Sequence, residues 1–180
     1  MAVAAASMTV EEFQALPDIE GFETELHHGE VVRMSRPKKR HYDRVIVLQS
    51  KIAPVSAKFG FLVAELAYRA IPEGDLRAGD LAYVPRSRWQ SFGADDHLPG
   101  APDFVVEVLS PSNSAEDIQE TKQLCLANGC REFWLLFPRL RQIEVSTPAG
   151  SRMYRDGDTI RSIVFAGHSF AVADLLAEPF

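Results

Sequence analysis

Pro102-Asp103-Phe104-Val105-Val106-Glu107-Val108-Leu109-Ser110-Pro111 is the stretch whose reading decides the fold. Val and Phe favour a pleated, buried strand, and turn residues close both ends. Phe104, Val106 and Val108 share one face, and Val105 and Leu109 share the other, as in a strand covered on both sides. Two acids interrupt this apolar run. Alternation puts Asp103 and Glu107 on the same face. A buried, unpaired carboxylate costs several kcal/mol, so Glu107 requires a cation, a hydrogen-bond network or a proton. A divalent metal satisfies that need, and so does the ordinary alternative of an Arg or Lys partner.

The strands and helices around this run fit one domain. The chain has 180 residues, 46% of them hydrophobic, enough for one sizeable core. Residues 9–180 are read as that domain, and residues 1–8 as disordered. A net charge of -6 gives no global pull toward nucleic acid or an anionic membrane. No apolar run approaches the roughly 18 residues needed to span a bilayer, and the start of the chain lacks a basic signal-peptide region. These features indicate a cytoplasmic chain with no membrane partner. Cys125 and Cys130 have neither CxxC spacing nor a nearby His, so they read as reduced, buried thiols.

Upstream of the central strand, Thr9 and Glu12 have capping-box spacing for a helix that ends before Pro17. Glu25 to Met34 predicts a hairpin turning at His28-Gly29. The His pair there reads as turn residues rather than a zinc site, which requires more ligands at defined spacing. Arg36-Pro37-Lys38-Lys39-Arg40 is the most basic run of this acidic chain; it is either a solvated loop or a phosphate contact. His41 opens a helix with Val45, Leu48, Ile52 and Val55 on one apolar face. Pro54 is expected to end or kink it. Residues 61–68 and 76–85 read as strands, and residues 86–100 as loop.

Downstream, Ser112 to Asn128 reads as a helix, with Ser114 and Asp117 at cap spacing and Gly129 closing it. Ile118, Thr121, Lys122 and Cys125 form its inward stripe. A lysine on such a stripe needs a partner. Glu132 to Phe137 is a buried strand. Residues 142–146, 153–155 and 160–165 continue as shorter strands, and Val172 to Leu176 as a closing helical turn.

Asp80 lies within one strand, Glu107 within the next, and Lys122 on the following helix. Singly, each has an ordinary structural explanation. Together they are what phosphodiester hydrolysis requires. Carboxylates hold Mg²⁺ through hard oxygen donors. The metal polarises the phosphoryl oxygen and activates a water. A lysine positions that water or offsets charge on the phosphate.

The chain resembles the Uma group of restriction endonucleases, within the PD-(D/E)XK nuclease superfamily. The resemblance rests on Met8 to Phe13, Glu25 to Glu30, His41, Gly79 to Val84, Ala101 to Ser112 and Gly129 to Leu135. It implies a restriction-endonuclease-like α/β core: a central mixed sheet flanked by helices, with an N-terminal helix and hairpin. It implies Asp80 and Glu107 as metal ligands and Lys122 as the catalytic lysine. Leu109 fills the slot where the superfamily motif places Lys. The family's helix lysine corresponds to Thr121, one residue and about 100° of helix rotation from Lys122. Gly79 replaces the family's Pro before the first acid, Phe137 its acid near the end of that strand, and His27-His28 its Ile-Asp. Glu30 and His41 match family positions and are expected as supporting residues. Asp103 shares Glu107's face but lies about 13 Å along the strand, so it is expected to support or cap a turn.

The sequence reading is an Mg²⁺-dependent (or Mn²⁺-dependent) endonuclease acting on DNA. Its rival is a catalytically impaired nuclease-fold module that binds nucleic acid or protein. The sequence leaves DNA or RNA as substrate open. A double-strand cut needs two centres, which suggests a homodimer.

Overall fold

A computed structural model describes residues 7–110 and 114–178. Helix α1 (Val10–Gln14) starts where the capping box predicts. Glu12 N donates to Thr9 Oγ1 at 3.2 Å, and Thr9 N donates to Glu12 Oε2 at 2.9 Å. Most of the expected disordered start, residues 1–6, lies outside the described residues. Ser7 and Met8 are bonded to the hairpin turn, through His28 O and Gly29 O.

Strands β1 (Phe22–His27) and β2 (Glu30–Ser35) form the expected hairpin. His28 and Gly29 have φ of 50° and 79°, the left-handed pair that a tight hairpin turn demands. Helix α2 (Lys39–Ser56) buries Val45, Leu48 and Ile52, as its spacing predicts. It does not end at Pro54. Only the final residues lie beyond that proline, so the helix gives up little backbone bonding there and keeps the packing of Ile52.

Strands β3 (Gly60–Arg69) and β4 (Arg77–Pro85) follow. The segment after them is not all loop: it holds a helical turn, α3 (Arg86–Trp89), and a short strand, β5 (Leu98–Pro99). Arg88 fixes it by donating to Pro99 O, to Ala101 O at 2.7 Å and to Asp103 Oδ2 at 2.9 Å. The deciding stretch is β6 (Phe104–Val108), its apolar residues buried on both faces. Helix α4 (Ala115–Ala127) begins after Ser114, whose Oγ accepts from Asp117 N at 3.0 Å. The start expected at Ser112 falls outside the described residues.

Strands β7 (Glu132–Phe137), β8 (Gln142–Thr147) and β9 (Gly150–Arg155) complete the large sheet. Strand β10 (Thr159–Arg161) stops earlier than expected. The buried Glu132 carboxylate accepts from Ser162 Oγ and from the Ile163 and Val164 amides, which turns the chain there instead. Strand β11 (Ser169–Ala171) pairs with β10, and α5 (Val172–Leu175) closes the fold.

The large sheet has the order β5-β3-β4-β6-β7-β8-β9 and is mixed. β6 and β7 run parallel, as do β3 and β5, and the other neighbours run antiparallel. Helix α4 spans the parallel β6–β7 step, and it covers one face with Ile118 and Cys125 against Val105, Phe133 and Leu135. Helices α2 and α5 cover the other face over Leu81, Phe104, Val106 and Trp134. The expected mixed sheet with flanking helices is thus what the chain forms. Among the described residues, no helix is long and apolar enough to cross a membrane.

Candidate active site

The pairing of β4 with β6 stops at Leu81↔Val106. One more step would set Asp80 opposite Glu107. Alternation of the ladder assigns the next bond to Val108 N and Gly79 O. The Asp80 side chain takes that amide instead: Val108 N donates to Asp80 Oδ2 at 2.6 Å. Strands β4 and β6 therefore part where the two acids stand.

The other side of β4 is irregular at the same level. Ala64 pairs with Leu81 and Leu66 with Gly79, but the intervening Glu65 has a φ of 53°. An added Cβ on Gly79 would meet Val105 Cγ1 at 3.2 Å and Glu107 Oε1 at 3.6 Å, on the α4 face. Leu81 packs on the α2 face. The two-residue alternation is thus broken at Asp80, which lets it meet groups from both sides of the sheet. His41, near the start of α2, reaches Asp80 Oδ1 with Nε2 at 2.8 Å. Its imidazolium is favoured above the ordinary value, first by that hydrogen bond, against burial, and then by the charges of Asp80, Glu65 and Glu23.

Glu107 lies on the α4 face among Tyr68, Val105 and Cys125. Burial, foremost, and then the negative charges of Asp80 and Glu25 push its carboxyl well above the usual carboxylate range. Among the described residues, no Lys, Arg or His forms an ion pair with it. Glu25 is a member of this group that the sequence reading left out of the site. Its Oε1 accepts from Ala78 N at 3.0 Å, and its Oε2 lies 2.6 Å from His27 Nε2. Its signal in the sequence was an acid in a strand, at a position matching the family.

The other expected residues lie elsewhere. Lys122 is buried on α4, as its stripe predicts, but its Nζ donates to Glu144 Oε1 at 2.8 Å. Glu107 pairs with Leu135, and Leu135 with Glu144, so Glu144 stands two strands along the same row, roughly 10 Å from Glu107. Thr121, at the family's lysine position, accepts from Arg77 at 2.9 Å. Asp103 holds Arg88 and is a structural partner, as its place on the strand suggested. Glu30 is exposed at the start of β2, opposite His27.

Among the described residues, no three His, Cys, Asp or Glu side chains converge on one point. Two carboxylates with hard oxygen donors still fit a cation such as Mg²⁺, which keeps several of its waters and takes only one or two protein carboxylates. Two carboxyl groups side by side, Glu107 and Asp80, with no cationic partner at Glu107 among the described residues, are the specific observation in favour of that fit.

A splayed antiparallel strand pair carrying two acids, followed by a helix and a parallel strand, is the arrangement that the resemblance to restriction endonucleases implies. A family described as "Putative restriction endonuclease" (Uma2) matches residues 10–173, and the chain belongs to it. The fold is also that of a crystal structure titled as a putative nuclease belonging to DUF820 from Anabaena variabilis. The two align with a TM-score of 0.75 at 22% identity, over 94% of this chain and 97% of that one. No curated protein matches the sequence.

Proposed function

We propose that this chain is a divalent-metal-dependent endonuclease that hydrolyses DNA phosphodiester bonds, with residues 9–180 as one cytoplasmic domain. The observation that carries the reading is Glu107, half-buried beside Asp80 with no cationic partner among the described residues. Asp80 and Glu107 are the residues that would hold Mg²⁺ or Mn²⁺. A bound divalent ion supplies Lewis acidity toward a phosphoryl oxygen and a more acidic water. His41 and the Val108 amide fix both oxygens of Asp80 in place. Glu25 keeps negative charge at the site and adds to its demand for a cation. Lys39 and Arg40 lie in the first turn of the helix that delivers His41, which supports contact of the basic run from Arg36 to Arg40 with the phosphate backbone. Lys122 acts as the positioning cation only if it exchanges Glu144 for substrate.

That last condition favours a second reading, a nuclease-fold module that binds nucleic acid without cutting it. Both positions where a helix lysine would serve are engaged, Lys122 by Glu144 and Thr121 by Arg77. The experiment is Mg²⁺ or Mn²⁺ calorimetry on the native chain, Asp80→Asn and Glu107→Gln, with a plasmid-cleavage assay alongside. Metal binding lost in both variants, with cleavage by the native chain, supports the nuclease. Binding to DNA with neither metal binding nor cleavage supports the module.

A further inference from the structure

Edge strands in natural sheets are shortened, covered, or armed with charge or proline. The large sheet treats its two edges differently. At one edge, β9 carries Arg152 and Arg155. At the other, β5 pairs only with Tyr68 and Arg69, so β3 is left open from Phe61 to Glu65. The open part reads Phe61-Leu62-Val63-Ala64, with no charge and no proline.

The ladder shows which groups face outward. Arg86 N donates to Phe59 O, which makes Phe59/Arg86 a hydrogen-bonded pair. Alternation makes Phe61/Val84 and Val63/Ala82 bonded pairs as well. The N–H and C=O of Leu62 and Ala64 therefore point away from β4. Among the described residues no hydrogen bond reaches them from that side. Apolar groups flank them. One flank of α2, with Arg44, Lys51 and Val55, lies toward α5 and the chain's end. The opposite flank presents Tyr42 and Ile46, 39% and 51% exposed. The other face of the edge carries Phe61 against Trp89, centroids 5.1 Å apart.

We infer that this edge is the interface for a second copy of the chain, paired antiparallel through β3. A pairing centred on Val63 sets Leu62 opposite the second copy's Ala64, and each pair exchanges two bonds through the outward groups. Tyr42 and Ile46 then meet their own copies. Charge agrees with the antiparallel sense. Lys58 and Arg86 mark one end of the open edge and Glu65 the other, with Arg86 lying over the Phe61 ring at 5.2 Å. Antiparallel pairing brings the basic end of each copy to the acidic end of the other. The inference does not depend on the nuclease reading, although under that reading the dimer supplies two centres.

The test is light scattering after size exclusion on the full chain, at concentrations up to about 100 µM. The expected mass is twice 20.0 kDa. Ala64→Pro removes one outward donor without touching the β4 ladder, and Ile46→Glu buries a charge in the interface. Each should raise the dimer dissociation constant at least about tenfold. Met153→Pro, at an outward N–H of the opposite edge, should leave it unchanged. Circular dichroism checks that each variant folds; if Ala64→Pro does not, the exposed Ile46 site carries the test. A native chain that stays monomeric overturns the inference. So does a dimer indifferent to both β3-side variants, or one dissolved by Met153→Pro.

Discussion

Lys122 Nζ lies 2.8 Å from Glu144 Oε1, so the buried lysine of α4 is neutralised on β8, two strands from the acid it was expected to serve. Removing one partner of a buried pair strands the other, whereas removing both does not. Lys122→Met should cost about 3 kcal/mol, and the Lys122→Met/Glu144→Leu double variant should recover most of it. Urea unfolding checks both. A double variant no better than the single would show that Lys122 acts through something other than this pair.

The same pair sets a pH dependence. Burial alone would raise the Glu144 carboxyl, but Lys122, with Ser146 and Ser151, holds it below its ordinary value of 4.5. A depressed folded value contributes stability above the unfolded value, and that contribution fades as pH falls through the folded one. Stability should therefore drop below pH 4.5 in the native chain. In Lys122→Met only Ser146 and Ser151 still oppose burial, so the loss of stability on the acid side should be smaller than in the native chain. Thermal melts of the two proteins between neutral and acid pH read the difference.

Glu107 behaves oppositely, because among the described residues no cation compensates its charge. Glu107→Gln should stabilise the metal-free protein at neutral pH by about 1 kcal/mol, or roughly 2–4 °C in melting temperature. The variant should also lose any stabilisation by added Mg²⁺ that the native chain shows. A variant less stable than the native chain without metal would mean that the folded chain already stabilises the Glu107 carboxyl, through a cation or its hydrogen bond with Asp80.

Arg77 carries more than its sequence context suggests. It is buried, and it bonds Asp75, Thr121 at 2.9 Å and Glu120 at 2.7 Å. Asp75 in turn accepts from His28 N at 3.2 Å. Arg77→Met should cost about 4 kcal/mol by leaving Asp75 charged and unpaired. Arg77→Lys should rescue little, since an ammonium lacks the planar fork that reaches three partners. Chemical denaturation of both variants tests the ranking.

The elements that could be read from the sequence are those fixed by local chemistry. The Val-rich β6, the Thr9 and Ser114 caps and the His28-Gly29 turn each depend on residues a few positions apart. The need of Lys122 for a partner was also legible from its place on an inward stripe. Its partner was not, because Glu144 is brought beside it only by the order of β6, β7 and β8. The break in alternation at Asp80 was equally hidden, since it involves Glu65 on one neighbouring strand and Val108 on the other. Residues 162–165 look like strand by composition, and only Glu132, thirty residues earlier, turns them.

The chain from His28 through Asp75 and Arg77 to Glu120 and Thr121 has a consequence for motion. It joins the hairpin tip, the start of β4 and the face of α4 through the buried Asp75–Arg77 pair. The hairpin cannot swing away by itself without taking the His28 amide from the buried Asp75 carboxylate and the His28 ring from Glu120. Its opening is therefore tied to that of α4, and the amides of β1, β2 and α4 are expected to exchange as one cooperative unit rather than as separate flaps.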